Sequence, residues 1–146
     1  ANWKGVLLFD MDNPKKEEGK KILERTRDFS VRIIRLTHYL KERKIEYFLR
    51  DQIGRSGSSI GANIYEAKAS SSTKEYCRFY EIALRSGYET EYWLDVLDQL
   101  YKISNEKAFL QLKGELKSII RILAFIIIRL KQKIEKEEKE KENKKR

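Results

Sequence analysis

Proline and cysteine each occur once in this chain of 146 residues, and both scarcities narrow the class of protein. Pro14 is the proline, and no other proline interrupts the sequence after it. Because sheet-rich folds need frequent turns and turns favour proline, this pattern favours long helices. The single Cys77 excludes an internal disulfide and multi-cysteine zinc sites, and it is typical of a reducing compartment.

Histidine is equally scarce, since His38 is the only one. Without a second histidine, the common zinc sets and the paired Glu-x-x-His motifs of di-iron bundles are excluded. Residues 57–61 fit the pattern G-x-S-x-G, but a nucleophile elbow needs a preceding strand and a nearby histidine base. The flanks of this segment have a helical pattern. We therefore expect a protein that is not an enzyme and that holds no cofactor or metal.

The chain also lacks a long hydrophobic run. Its longest run, residues 119–130, is interrupted by Arg121 and Arg129 and is shorter than the stretch of about twenty apolar residues that spans a bilayer. The first ten residues lack the basic and then apolar pattern of a signal peptide. These absences predict a soluble, cytoplasmic protein without membrane contact.

The charge is unbalanced, with 32 Lys and Arg against 23 Asp and Glu, a net charge of +9. The excess is distributed along the chain rather than confined to the charged C-terminus. A basic excess promotes contact with phosphate backbones or with acidic protein surfaces. Charge alone leaves both possibilities open.

Apolar residues recur with the helical period along four stretches. In the first, Phe29, Ile33, Leu36 and Leu40 follow at steps of four, three and four, which places them on one helix face. Similar patterns predict helices over about 21–43, 46–69, 72–103 and from 106 to beyond 134. Four amphipathic helices with short connections predict an all-α fold, an up-down antiparallel four-helix bundle.

Local signals refine this prediction. Ser72 and Glu75 fit a capping box at the start of the third helix, and Ser104 or Asn105 can cap the fourth.

Three glycines inside the second helix predict that a neighbouring helix approaches closely, which would compensate the cost of glycine in a helix. They are Gly54, Gly57 and Gly61. The residues of the third helix that we expect to point inward are Tyr76, Phe79, Ala83, Thr90, Trp93, Leu97 and Leu100, flanked by Ile82, Ser86 and Leu94.

The chain divides into three parts: an irregular N-terminal arm at 1–20, the four-helix bundle at 21–134 and a charged tail of alternating Lys and Glu at 135–146. The fourth helix is apolar on more than one face, which predicts assembly into a homo-oligomer. Packing of the N-terminal arm over that face is the alternative. The residues expected at the oligomer interface are Ile122, Phe125, Ile126 and Ile128.

A mixed polar stripe lies beside the apolar stripe of the second helix and continues on the third. Its residues are Gln52, Arg55, Ser59, Asn63 and Glu66 on the second helix and Ser86, Glu89 and Thr90 on the third. We expect it to form a structural network between helices, in which Arg55 pairs with Glu66 or Glu89 because a guanidinium suits a buried carboxylate. Partner binding is the alternative role. The members of the network are Gln52, Arg55, Asn63, Glu66, Ser86 and Glu89.

These same two helices carry a resemblance to a known family. The second helix contains Arg50-Asp51-Gln52-Ile53, Arg55-Ser56, Ser59-Ile60, Ala62-Asn63-Ile64 and Glu66. The third contains Phe79-Tyr80-Glu81-Ile82-Ala83-Leu84, Ser86 and Glu89-Thr90-Glu91-Tyr92-Trp93-Leu94. With Asp28-Phe29-Ser30-Val31 in the first helix, the chain resembles the four-helix-bundle family of 23S rRNA intervening-sequence proteins over about residues 22–130.

The resemblance implies an up-down bundle that assembles into homopentamers. The family is similar to the accessory variability proteins of diversity-generating retroelements, which are basic pentamers that bind nucleic acid and a reverse transcriptase. The resemblance therefore implies an accessory protein that binds the RNA or DNA backbone, together with a reverse transcriptase or another nucleic-acid enzyme.

Basic residues outside the apolar faces are the candidates for phosphate contact. A homo-oligomeric protein-interaction scaffold without a direct nucleic-acid role is the alternative function. The candidate nucleic-acid-binding residues are Lys41, Arg43, Lys44, Lys68, Lys74, Arg78, Arg85, Lys144, Lys145 and Arg146.

Overall fold

The computed structural model describes residues 21–146, and within that range the chain is helical without any strand. The helices are α1 (Ile22–Glu42), α2 (Tyr47–Glu66), α3 (Thr73–Tyr101) and α4 (Lys107–Lys145), and a short 3-10 helix, Ala67–Ala69, extends α2. The four predicted helices are confirmed. α4 continues through the predicted charged tail. The predicted arm at 1–20 lies outside the described residues.

Contacts between helices show that consecutive helices run antiparallel. The most extensive contacts join helices that are consecutive in the sequence, and a smaller contact between α1 and α4 closes the four-helix bundle. The end of α3 meets the start of α2 where the Tyr101 hydroxyl donates to Glu46. The start of α3 meets the far part of α4 where the Thr73 hydroxyl donates to Glu137.

Two of the three predicted glycines hold α1 and α2 close together. A Cβ added at Gly57 would lie 2.7 Å from Cγ2 of Ile33, and one added at Gly61 would lie 3.2 Å from the Thr26 carbonyl oxygen. Any side chain at Gly57 therefore forces a movement of Ile33. At Gly54 the added Cβ would lie 3.4 Å from Thr37, an ordinary contact distance, so close packing does not require glycine there.

The helix caps agree with the sequence at α3 and differ at α4. The Glu75 N–H donates to the Ser72 hydroxyl over 3.1 Å, as predicted. The Glu75 carboxylate accepts from the Ser71 N–H rather than from that of Ser72, so the reciprocal bond lies one residue earlier. The predicted cap of α4 by Ser104 or Asn105 is wrong, because the N-cap residue is Glu106, whose side chain makes no capping bond.

The buried face of α3 agrees with the prediction at Ala83, Thr90 and Leu97, and it is shifted by one residue at Tyr76, Phe79 and Trp93. Cys77, Tyr80 and Leu94 are buried, whereas Tyr76 is half-buried at the edge of the core. The prediction for Leu100 is wrong, since 61 % of this residue is exposed. Adjacent apolar residues in α3 make the period ambiguous, and packing against α2 and α4 selects the face. The buried residues of α3 are Cys77, Tyr80, Ala83, Ser86, Gly87, Thr90, Leu94 and Leu97.

Candidate functional site

Three of the candidate cations lie at the end of the bundle where α1 turns into α2. Lys41, Arg43 and Lys44 are exposed there. Lys44 adopts a left-handed backbone conformation with φ of 57°, which lets the chain reverse direction. The Arg43 guanidinium lies 4.9 Å from the centroid of the Tyr39 ring, a cation–π contact that leaves the group exposed to solvent.

Other candidates lie at the opposite end, where α2 turns into α3. Lys68 is exposed, and its ammonium lies 4.7 Å from the centroid of the Tyr65 ring. Lys74 is exposed and pairs with Glu138 of α4 over 2.6 Å. The hydrogen bond and the charge of Glu138 raise the pKa of Lys74, and the same contact lowers the pKa of Glu138. Lys74 is therefore less available to a phosphate than its exposure suggests.

Arg78 and Arg85 continue this basic surface along the outer side of α3. Both are exposed, and neither has an ion-pair partner within residues 21–146. They are seven positions apart, or about two helical turns, so they lie on one helix face about 10 Å apart. We call Lys74, Arg78 and Arg85 the basic face of α3.

The last three candidates lie beyond the bundle. Because Glu137 and Glu138 already meet the first turn of α3, the rest of α4 extends past it by about 10 Å. Lys144, Lys145 and Arg146 are exposed at the tip of this extension. The structure thus places the ten predicted cations in groups at the two ends of the bundle, with Arg85 between them, rather than on one continuous surface.

A cleft beside the basic face contains a cation that the sequence analysis missed. It has a volume of about 460 Å³ and lies between the α2–α3 junction and α4. Lys68 and Lys133 line it from opposite sides, although 65 positions separate them in the sequence. No local pattern marks Lys133, which stands among the many charged residues of α4. The rest of the lining is Ala67, Ser70, Ser71, Ser72, Thr73, Tyr76 and Leu130.

The predicted polar network exists in part. The hydroxyls of Ser59 and Ser86 lie 2.8 Å apart across the α2–α3 contact, and Nδ2 of Asn63 donates to both the hydroxyl and the carbonyl of Ser59. This hydrogen-bonded group is smaller than predicted. Ser59 of the predicted polar stripe is its centre, while Gln52 is half-buried.

The predicted pairing of Arg55 with Glu66 or Glu89 is wrong. The Arg55 side chain is 76 % exposed and pairs with Asp51, one turn earlier on α2, over 3.0 Å. Glu66 and Glu89 are exposed as well, and Glu89 accepts from Nε1 of Trp93. Asp51 is closer along the helix and requires no neighbouring chain segment, so it takes the guanidinium first.

A different ion pair joins two helices instead. Arg25 of α1 donates from Nε and Nη2 to the two carboxylate oxygens of Glu115 on α4, over 3.0 and 2.9 Å, and from Nη2 to the Ser118 hydroxyl. The two side chains are only 11 % and 12 % exposed. This forked contact fixes α4 against α1. Its partners are 90 positions apart, so sequence spacing gave no signal for it.

The predicted oligomer-interface residues divide into two pairs. Phe125 and Ile128 are 55 % and 57 % exposed on the outer side of α4. Ile122 and Ile126 are half-buried, and Ile126 packs against the core. Assembly itself stays a prediction, as does the alternative that the N-terminal arm covers this face.

Metal ligands, the cysteine thiol and the helix lengths can be checked within the described residues. No cluster of three or more potential metal ligands occurs between residues 21 and 146. Burial and the neighbouring Glu81 raise the pKa of the Cys77 thiol, which keeps it protonated and weakly nucleophilic. None of the helices in this range has the length and apolar character needed to span a bilayer.

Comparison with known proteins identifies the family. The model of the 23S rRNA-intervening sequence protein family matches residues 18–125. The chain belongs to this family. A solved structure with the same fold is that of a protein of unknown function from the S23 ribosomal protein family of Bacteroides thetaiotaomicron VPI-5482, at 34 % identity and a TM-score of 0.69.

That relative is matched over 98 % of its length but over only 73 % of this chain. The family match likewise ends at Phe125, so the extended part of α4 lies outside it. No curated protein matches the chain significantly. Membership in the family therefore supports the fold without assigning an activity.

Proposed function

We propose that this family member is a non-catalytic accessory protein that binds the backbone of RNA or DNA. The observation that carries the proposal is the basic face of α3. Arg78 and Arg85 are exposed, lie on one side of a rigid helix and have no carboxylate partner within residues 21–146. A cation that is not neutralised within the protein can release a counterion when it binds a phosphate, and this release drives backbone binding.

The cleft next to the basic face extends this surface. Lys68 and Lys133 line it together with Ser70 and Ser72, whose hydroxyls can donate to phosphate oxygens. The Ser71 hydroxyl also lines it but donates to Glu75. Glu75, Glu137 and Glu138 lie nearby and limit the positive potential there. We therefore assign the main phosphate contacts to Arg78 and Arg85, with the cleft lysines as secondary contacts.

The binding would depend on charge and shape without a base code. Contacts to the phosphate backbone fix a protein on nucleic acid but carry no sequence information. If copies of the chain associate, repeated weak contacts would add through avidity. We expect similar affinity for different sequences of the same length and strandedness.

Charge reversal tests the assignment. Lys74→Glu, Arg78→Glu and Arg85→Glu together should weaken binding of labelled RNA at least about a hundredfold at low salt, since three attractive contacts become repulsive. The matched control reverses Lys107, Lys117 and Arg121, which are also exposed but lie on α4 away from this face. Fluorescence anisotropy measures both. Equal loss in the two variants would show that only net charge matters and would refute the surface assignment.

The alternative function is a homo-oligomeric scaffold, and a separate observation favours it. Phe125 and Ile128 expose more than half of their surfaces on α4, and Leu110 does so on the same outer side. Large exposed apolar groups are a mark of protein contact. Phe125→Glu should reduce the mass measured by sedimentation velocity if these residues pack between copies, including in a pentamer. An unchanged mass would exclude this interface.

The proposal also includes a protein partner that acts on nucleic acid, such as a reverse transcriptase. Its support is the resemblance to accessory proteins of diversity-generating retroelements. Affinity purification from nuclease-treated extract, with the charge-reversed variant alongside, tests this part. Recovery of such an enzyme with both proteins would show a direct protein contact, whereas its loss after nuclease treatment would show that nucleic acid bridges the two.

A further inference from the structure

The second half of α3 carries the opposite charge from the chain as a whole. Between Ser86 and Tyr101 there are four carboxylates and no Lys or Arg, although the protein has a net charge of +9. Asp95 pairs with Lys113 of α4. The other three acidic residues of this segment are Glu89, Glu91 and Asp98.

Aromatic rings stand beside these carboxylates on the outer side of α2 and α3. Phe48 is 63 % exposed and Tyr92 is 60 % exposed. Both rings meet Trp93 edge to face, at centroid distances of 5.6 Å for Phe48 and 5.0 Å for Tyr92. We call Phe48, Glu89, Tyr92 and Trp93 the acidic aromatic patch.

Hydrogen bonding and charge define the edge of the patch. Nε1 of Trp93 donates to the Glu89 carboxylate over 3.4 Å, which places negative charge at the edge of the ring cluster. Arg55 lies two turns beyond Phe48 on α2, but Asp51 neutralises it. Arg85 lies two turns before Tyr92 and separates the patch from the rest of the basic face of α3.

The chemistry of exposed rings beside carboxylates suits a cation better than a phosphate. A guanidinium stacks on exposed aromatic faces and at the same time donates to neighbouring carboxylates. A nucleic-acid backbone would be repelled by Glu89 and its neighbours. Exposed Trp, Tyr and Phe rings are also enriched in the central parts of protein interfaces.

From this charge complementarity we propose that the acidic aromatic patch is a docking site for an arginine-rich segment of a protein partner. The patch adjoins the phosphate-binding surface, because Arg85 lies one turn before Glu89, but it differs from that surface in charge and in its aromatic side chains. It gives the chain two functional faces on one helix: a cationic first half of α3 for nucleic acid and an anionic, aromatic second half for a basic protein segment.

A titration with synthetic peptides tests the proposal. Trp3→Phe leaves Trp93 as the only tryptophan, so its fluorescence reports directly on the patch. An arginine-rich peptide should change the Trp93 emission and bind, a lysine peptide of the same length should bind more weakly because its ammonium does not stack, and a glutamate peptide should not bind.

Substitutions locate the contact. Phe48→Ala and Tyr92→Ala remove exposed rings and should each weaken binding of the arginine peptide about tenfold, measured by calorimetry. Tyr65→Ala is the matched control, because Tyr65 is 56 % exposed on the same helix as Phe48 but lies outside the patch. Glu89→Gln should weaken binding and make it less sensitive to salt.

Three results would overturn the proposal: no binding of the arginine peptide, equal binding to the patch variants and the Tyr65→Ala control, or a lower mass of Phe48→Ala in sedimentation velocity. The last would show that a second copy of the chain covers the patch. RNA binding by Phe48→Ala should remain unchanged, so failure of this site and failure of the phosphate-binding surface are distinguishable.

Discussion

The contact between α1 and α2 and the basic face of α3 are built in opposite ways. In the first, a single added carbon at Gly57 would lie 2.7 Å from Ile33, so shape determines which residue is allowed. On the second, Arg78 and Arg85 point to solvent, where many side chains would fit. Substitutions at the α1–α2 contact should therefore change stability, whereas substitutions on the basic face of α3 should change binding alone.

The largest effect on stability is expected at the ion pair between Arg25 of α1 and Glu115 of α4. Like the α1–α2 contact, this pair is largely buried. Arg25→Ala leaves the Glu115 carboxylate largely buried without its guanidinium, so we expect a loss of about 3 kcal/mol in the free energy of unfolding. Urea denaturation measures it. Arg78→Ala is the matched control, and an equal, small change in both variants would mean that the buried pair contributes little.

The same substitution, glycine to alanine, can be compared at a packed position and at an open one. Gly57→Ala should lower the free energy of unfolding by about 1–3 kcal/mol, because Ile33 must move in a packed core. Gly114→Ala should raise it by about 0.5–1 kcal/mol, because the added Cβ meets nothing within 4 Å and alanine favours the helix. A melting temperature of Gly57→Ala equal to or above that of the unchanged protein would show that the α1–α2 contact tolerates a side chain at this position.

Ser72, the N-cap residue of α3, combines features of the two regions: it is exposed to solvent, but its hydroxyl accepts a hydrogen bond within the fold. Ser72→Ala removes the acceptor for the Glu75 N–H and should lower the free energy of unfolding by about 1 kcal/mol. Ser104→Ala is the control, since that residue does not cap α4. If calorimetry gives equal melting temperatures for the two variants, the hydroxyl of Ser72 does not stabilise the helix.

The smallest effect should come from the exposed contact between Lys74 and Glu138. The folded pKa of Glu138 is lowered, so this contact stabilises the protein above the unfolded pKa of a glutamate and is lost as pH falls through the lower, folded value. The end of α4 should therefore loosen in acid. Amide hydrogen exchange at residues 138–145 checks this, with Glu138→Gln expected to show the loosening at neutral pH as well.

Much of the fold was predictable because its determinants are local. The stripe from Phe29 to Leu40, the Ser72 cap and the glycines at 57 and 61 act over a few residues, and the structure confirms each. Part of the buried face of α3 was placed one residue early, at Tyr76, Phe79 and Trp93, because apolar neighbours such as Trp93 and Leu94 give the sequence two equivalent stripes. Only the neighbouring helices select between them.

The candidate site was less predictable because it depends on which helices meet. Arg25 and Glu115 are far apart in the sequence, and Lys133 joins Lys68 only through the packing of α4 on the α2–α3 junction. Arg55 pairs with Asp51 rather than with Glu66 or Glu89, because a residue one turn earlier on the same helix lies within reach of its side chain. The net charge of the sequence indicated a basic protein, but it did not show that the second half of α3 is acidic.

Salt dependence tests the central claim most directly. Anisotropy of labelled RNA and duplex DNA, titrated with nuclease-treated protein at increasing salt, gives the slope of the logarithm of affinity against the logarithm of salt concentration. Phosphate contact by the basic face predicts measurable affinity at low salt that falls steeply as salt rises, with a shallower slope after Arg78→Ala and Arg85→Ala. Absence of binding at low salt would contradict the account and leave the bundle as a protein-interaction scaffold.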